Sequence, residues 1–221
     1  MRAHHAIDLH KVLTGPVVIA MMFAYDNFTA AAWTYLALHG SYGLMWRYKS
    51  SVFPDKQWAE PISTAYGVQM FFGLGLYWLA PWLLISSGAE APGWVVGLSV
   101  ALCAFGTLFH YGADAQKHFV LRARSGLITD GFFARTRNPN YLGEILLYAG
   151  FATLSMHWIP WLVNAFYWGA VFIPNMRKKD ASMSRYPEWE AYVARTGLLL
   201  PKLGARAELK QPEPASPSRA Q

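Results

Sequence analysis

The sequence predicts an all-α fold: a polytopic integral-membrane bundle of about six transmembrane helices with both termini cytoplasmic. Three observations carry this. First, the chain of 221 residues is 54% hydrophobic and 16% aromatic, with a mean hydropathy of +0.17 and only 14% charged residues, against the ~25% charged of a soluble domain. Second, apolar runs occupy residues 12–25, 28–46, 63–86, 92–112, 141–157 and 158–174, and most approach the ~17–25 residues that span hydrocarbon. Third, if all six runs cross, the 19 Lys and Arg all fall on one side, and the other side holds only Asp26 and Glu90 as charges. That is the asymmetry of the positive-inside rule.

The first run is the weakest. It is short, Gly15-Pro16 interrupts it, and its length alone suits a re-entrant or interfacial segment. Charge decides for a crossing, because removing it would put Arg2 and Lys11 on the face opposite the other cations. The next three runs alternate with a two-residue connection at 26–27, an inner segment at 47–62 and an outer one at 87–91. Gly73 and Gly75 in the third run read as a packing notch. The fifth and sixth runs meet at a tight turn near His157. The inner segments are 1–11, 47–62, 113–140 and 175–221. The net charge of +6 suits a surface facing anionic lipid and needs no nucleic-acid partner. A cleavable signal peptide is not expected. Cys103 is the only cysteine, which excludes an internal disulfide and a thiolate metal cluster. Residues 1–200 read as one membrane domain. Residues 201–221, rich in Pro, Ala, Ser and charge, read as a disordered tail.

Long charged inner loops put the chemistry at the cytoplasmic end. The most informative stretch is Gly131-Phe-Phe-Ala-Arg-Thr-Arg-Asn-Pro-Asn-Tyr-Leu-Gly-Glu144. Asn138 before Pro139 predicts a helix start, with Asn138 as the N-cap and proline at the first helical position. Glu144 then lies roughly 7–8 Å into an apolar helix at ~1.5 Å per residue, where a carboxylate is costly and usually pairs, titrates or binds. Asn140, Glu144 and Tyr148 share one helix face. With Arg135 and Arg137 beside the positive end of the helix, this is a site for an anionic cofactor. In the segment before it, His110, Asp114 and His118 also share a face, followed by Lys117, Arg122 and Arg124. Such a stripe can bind metal, but the other histidines are scattered, and a phosphate- or carboxylate-bearing cofactor accounts for more residues. After the last run, Arg177–Lys179 suit a stop-transfer cluster. Tyr186-Pro187 predicts a short interfacial helix with Trp189, Tyr192 and Val193 on one side. No P-loop, no G-x-S-x-G and no dinucleotide fingerprint after a strand is present.

Asp114-Ala-Gln-Lys, then Gly126 through Glu144, then Lys179-Asp180, Tyr186-Pro, Tyr192 and Leu200-Pro201 resemble the C-terminal region of the steroid 5-alpha-reductase family, closest to its bacterial branch, over about residues 105–202. The same helix start resembles membrane methyltransferases of the isoprenylcysteine carboxyl and phospholipid types. The reductase resemblance implies that Asn140, with Tyr141 beside it, holds the nicotinamide end of NADPH and that Glu144 sits next to it. It implies that Asp114 contacts the cofactor and that Lys117, Arg122 and Arg124 are candidates for its phosphates, beside the Arg135 and Arg137 of the helix start. The methyltransferases usually lack the Glu and carry paired glutamates where this chain has Lys178-Lys179-Asp180. The family's Arg, His and Tyr near the last helix are replaced here by Asn175, Arg177 and Lys179. For the pair that polarises the substrate carbonyl, this chain offers Glu60 and Tyr66, neither in a clear motif; Glu144 and Tyr148 are further candidate donors.

The leading expectation is an NADPH-dependent reductase of a carbon–carbon double bond in a lipid-like substrate, seated in a bacterial inner membrane with its active site toward the cytoplasm. The alternatives are an S-adenosylmethionine-dependent methyltransferase of a lipid or prenylated group, and a non-catalytic lipid-binding membrane protein.

Overall fold

The computed structural model describes residues 1–202, so the tail expected over 201–221 lies, from residue 203, outside the described residues. Helices form wherever the apolar runs fall, and they continue into the charged flanks. Helix α1 is Ala3–Ala24. Helix α2 covers 30–52, as Ala30–Tyr35, a π-helical stretch Leu36–Gly40 and Ser41–Val52. Helix α3 is Thr64–Ser87, tightened at Gly75–Trp78 into a 3₁₀ turn. Helix α4 is Gly93–Ala123, and α5 is Pro139–Ser155. Helix α6 covers 159–183, with a second π-helical stretch at Trp168–Phe172. Helix α7 is Trp189–Arg195. Among the described residues no strand forms beyond two isolated bridges, Arg2 with Pro61 and Thr136 with Gly197.

Helices α1, α3 and α4 are long and apolar enough to cross a membrane. The first run was expected to be short and broken; instead α1 begins at Ala3 and passes through Pro16. Its 22 residues reach about 33 Å at ~1.5 Å per residue. Proline removes one backbone donor, which a packed membrane helix tolerates. The outward surface is apolar: Phe23, Phe72 and Trp94 are 71%, 70% and 72% exposed. Large apolar side chains facing out at this density suit a hydrocarbon solvent, not water.

The tightest pairing is between α4 and α5, and glycine makes it possible. A Cβ on Gly143 would stand 2.2 Å from the His110 backbone nitrogen and 2.6 Å from the Gly106 carbonyl oxygen; one on Gly106 would meet Leu147 N at 2.6 Å. Small residues at a crossing let backbones touch. The notch expected at Gly73 and Gly75 is not the tight one, since a Cβ on Gly73 would meet only the Tyr167 hydroxyl at 3.7 Å and one on Gly75 nothing. This close approach sets His110 and Asp114 of α4 beside Asn140 and Glu144 of α5. Gly143→Leu is expected to drive the two helices apart, lowering stability by at least about 1–3 kcal/mol, the cost of overpacking. The loss reads as a lower unfolding midpoint in detergent, and an unchanged midpoint would contradict the packing.

Helix α5 starts at Pro139, as its sequence predicts, but not by the predicted cap. The Asn138 side chain makes no capping bond to the helix. Its Nδ2 donates instead to the Leu198 carbonyl at 2.9 Å. Arg137 N donates to Gly197 O at 2.9 Å, and Thr136 Oγ1 to Leu199 O at 2.8 Å. Residues 196–202 thus form a strap that pins the approach to α5. Helix α7 serves the same strap. Tyr192 was expected as an interfacial anchor, but it is buried and its hydroxyl donates to Phe133 O at 2.9 Å. Protein packing takes the aromatic face that the sequence alone assigned to lipid.

Candidate functional site

A cavity of about 650 Å³ opens among α1, α2, the segment after it, α3, α4, the opening of α5 and the middle of α6, within the ~300–1,000 Å³ of small-molecule sites. Its apolar wall includes Ile7, Trp46, Met70, Leu74 and Tyr77. Its polar wall includes Lys11, Lys49, Asp55, His110, Asp114, Asn140 and Glu144. Two irregular stretches supply wall residues. The 3₁₀ turn at Gly75–Trp78 carries Tyr77, and the π-helical turn at Trp168–Phe172 carries Ala170, Val171 and Phe172.

The expected site residues separate into three groups. Asp114, Asn140, Tyr141, Glu144 and Tyr66 line the main cavity. Lys117, Arg137, Lys179 and Asp180 line a second pocket of about 150 Å³ with Tyr186, Trp189 and Tyr192. Arg122, Arg124, Arg135, Arg177 and Glu60 are exposed and line neither. Tyr148 is buried behind Tyr77, whose ring stacks on it at 3.9 Å, so it lies under the cavity wall and not on it. Glu60 contributes its backbone carbonyl, which accepts the Ala3 N–H at 3.3 Å; its side chain does not reach the cavity.

Burial governs the electrostatics of the main cavity. Asp114 is 5% exposed, and its Oδ2 stands 2.7 Å from Nζ of Lys49, itself 4% exposed. Lys117 bridges Asp114 Oδ1 at 3.8 Å and Asp55 Oδ2 at 3.0 Å. His110 Nδ1 donates to the Asn140 carbonyl at 3.2 Å, which leaves its Nε2 buried without a partner. The Asn140 Oδ1 is likewise buried and unpartnered. A buried amide oxygen without a donor is costly, and both it and Glu144 belong to residues that face the cavity. No ion pair engages Glu144 among the described residues.

The second pocket is held by a network. Arg137 Nε donates to Asp180 Oδ2 at 2.9 Å and Nη1 to Thr196 O at 2.8 Å, while the guanidinium lies 5.7 Å from the Trp189 ring centre. Lys179 Nζ donates to Arg137 O at 2.9 Å over the Phe133 ring. Lys179 lies beyond the apolar run that ends at Pro174. Burial, assisted by the charge of Lys117, pushes its ammonium down to about 8. Among the described residues no group of three or more His, Cys, Asp or Glu is placed to hold a metal ion. His110 and Asp114, on the stripe read as a possible metal site, are engaged by Asn140 and Lys49 instead.

The two buried lysines of the cavity escaped the sequence reading. Lys11 and Lys49 were assigned to inner loops, yet both lie on helices and are 2% and 3% exposed. A usable signal existed for Lys49: Tyr42, Trp46 and Lys49 repeat at helical spacing. Lys11 had a similar one, since Ile7, Lys11 and Thr14 share a face of α1.

Residues 31–195, well over half of the chain, match the family described as "Protein of unknown function (DUF1295)". The chain therefore belongs to the DUF1295 family. No curated protein and no solved structure matches it.

Proposed function

We propose that the protein is a steroid 5-alpha-reductase-like membrane enzyme that uses NADPH to reduce a carbon–carbon double bond in a lipid-like substrate. The observation that carries this reading is the juxtaposition on one cavity of Asn140, with its buried unpartnered Oδ1, and Glu144, with no ion pair, against an apolar wall. The fit to the cofactor follows residue by residue. The Asn140 amide oxygen, buried without a donor, would accept from the carboxamide of a nicotinamide. Lys117, Arg137 and Lys179 in the adjoining pocket suit phosphate groups. Lys117 joins the two sites, because it lines the second pocket while pairing with Asp55 and Asp114 of the first. Bound there, the reduced nicotinamide supplies the hydride. The chain's own contribution is to orient the substrate, exclude water and deliver a proton. Glu144, on a partly dry wall, is the proton donor of choice, and Tyr66 on the same cavity is a second hydrogen-bond donor for the carbonyl oxygen. The same reading completes six crossings with α2, α5 and α6, keeps both termini cytoplasmic and seats the site at the cytoplasmic end of a bacterial inner membrane.

The test is consumption of NADPH, followed by its near-ultraviolet absorbance, with a panel of enone lipids presented in detergent. Turnover of at least one of them is expected. Absence of turnover across steroid, sterol, fatty and isoprenoid enones would reject the reductase.

A pH dependence follows from Lys179. Below pH 8 its ammonium is already charged and meets phosphate with no proton uptake. Above pH 8 the free site loses that proton, and binding must take one up. NADPH affinity is therefore expected to fall by up to about tenfold per pH unit above 8, as read by fluorescence titration. Lys179→Met should flatten the profile; a profile that stays as steep would remove Lys179 from the phosphate site.

A further inference from the structure

The ammonium of Lys11 is the least expected group in the cavity. Lys11 is 2% exposed, and its Nζ lies 4.5 Å from the ring centre of Tyr42, 5.1 Å from Trp46 and 5.0 Å from Tyr148. It donates to the Tyr148 hydroxyl and, at 3.4 Å, to the Tyr42 hydroxyl. Phenols and ring faces are neutral partners. Lys11 forms no ion pair among the described residues, whereas Lys49, Lys117 and Arg137 each hold a carboxylate. Glu144 shares the cavity wall and its charge reaches Lys11, but the two form no direct ion pair. A buried cation without a counter-ion is expensive. An ammonium has three donors, and two are used.

We propose that Lys11 receives the polar end of the ligand, and that this end is an acidic oxygen of carboxylate type on an otherwise apolar molecule. Among the described residues Lys11 is the cavity lysine with no carboxylate within ion-pair distance, and Ile7, Trp46, Leu74 and Tyr77 supply apolar wall around the same space. The aromatic cage keeps water from solvating the ammonium and fixes its direction, so a ligand oxygen gains a charge-assisted bond that water does not match. This inference rests on the cavity being the lipid site, but it needs neither the cofactor nor any redox step.

The test uses the full chain in detergent and two probes of equal chain length, a fatty carboxylate and an alkyl trimethylammonium, with affinities read by native mass spectrometry without nicotinamide. Wild type is expected to hold the carboxylate at least about tenfold tighter, the scale of one hydrogen bond to a charged group. In Lys11→Met the ratio should collapse toward one, and in Lys11→Arg much of it should return. Equal binding of both probes to wild type, which needs no variant to fold, would overturn the proposal. So would a carboxylate preference that survives Lys11→Met. Failure of NADPH turnover alone would leave these results untouched, and failure of these binding results would leave turnover untouched.

Discussion

Glu144→Gln is expected to lower turnover of an unsaturated lipid at least about 100-fold, the contribution of a positioned acid, while the unfolding midpoint moves by no more than a few degrees. The two halves of this expectation come from one observation. Glu144 faces the main cavity and enters no ion pair among the described residues. Glutamine keeps its volume and a hydrogen-bonding head, so little folding energy is lost. What disappears is the carboxyl group beside Asn140. Steady-state kinetics separates the effect: kcat should fall with KM for NADPH nearly unchanged, since the cofactor contacts proposed are Asn140 and the basic pocket. Full activity in Glu144→Gln would remove the carboxyl from the reaction.

Asp114→Ala should act in the opposite sense, on the fold as much as on the site. The Lys49–Asp114 pair is almost completely buried at 2.7 Å, and Lys117 leans on the same carboxylate at 3.8 Å. Removing one partner of a buried pair leaves an uncompensated charge and costs about 3–5 kcal/mol. For a chain of this size that is a drop of very roughly 6–20 °C in unfolding midpoint. The double replacement Lys49→Met with Asp114→Leu removes both charges and should recover much of the stability. It should not recover cofactor binding, because the Asp114 carboxylate that the family resemblance sets against the cofactor would still be missing. Recovery of stability without recovery of binding marks Asp114 as part of the site as well as of the scaffold. A single variant as stable as wild type would show that the pair is open to water.

Much of the scaffold is legible in the sequence because its drivers are local. Each apolar run becomes a helix, Pro139 opens α5, and α5 ends at Ser155, after which Met156 takes a left-handed φ of 51°. The face shared by Asn140 and Glu144 follows from helical spacing, and it does line the cavity. What the sequence hides depends on tertiary placement. Asn138 looks like a cap, yet it bonds to Leu198, sixty residues away. Tyr192 looks like a lipid anchor, yet it ties α7 to Phe133. Arg122, Arg124, Arg135 and Arg177 sit in basic segments but line neither pocket, whereas Lys117, Arg137 and Lys179 line the second. Lys11 and Lys49 were hidden for another reason. Lysine at the edge of an apolar run usually marks where the membrane ends, and here the helices run on and carry both ammonium groups inward.

The most direct test of the central claim is the unfolding midpoint of the detergent-purified chain with NADPH, NADH, S-adenosylmethionine or no addition. A ligand held only by the folded state adds about 2.7 kcal/mol at one hundred times its dissociation constant. A rise of several degrees is expected with NADPH, a smaller one with NADH, and none with S-adenosylmethionine. A rise with S-adenosylmethionine alone would make this a methyl-transferring member of the same architecture, and no rise with any of the three would contradict a cofactor-dependent enzyme altogether.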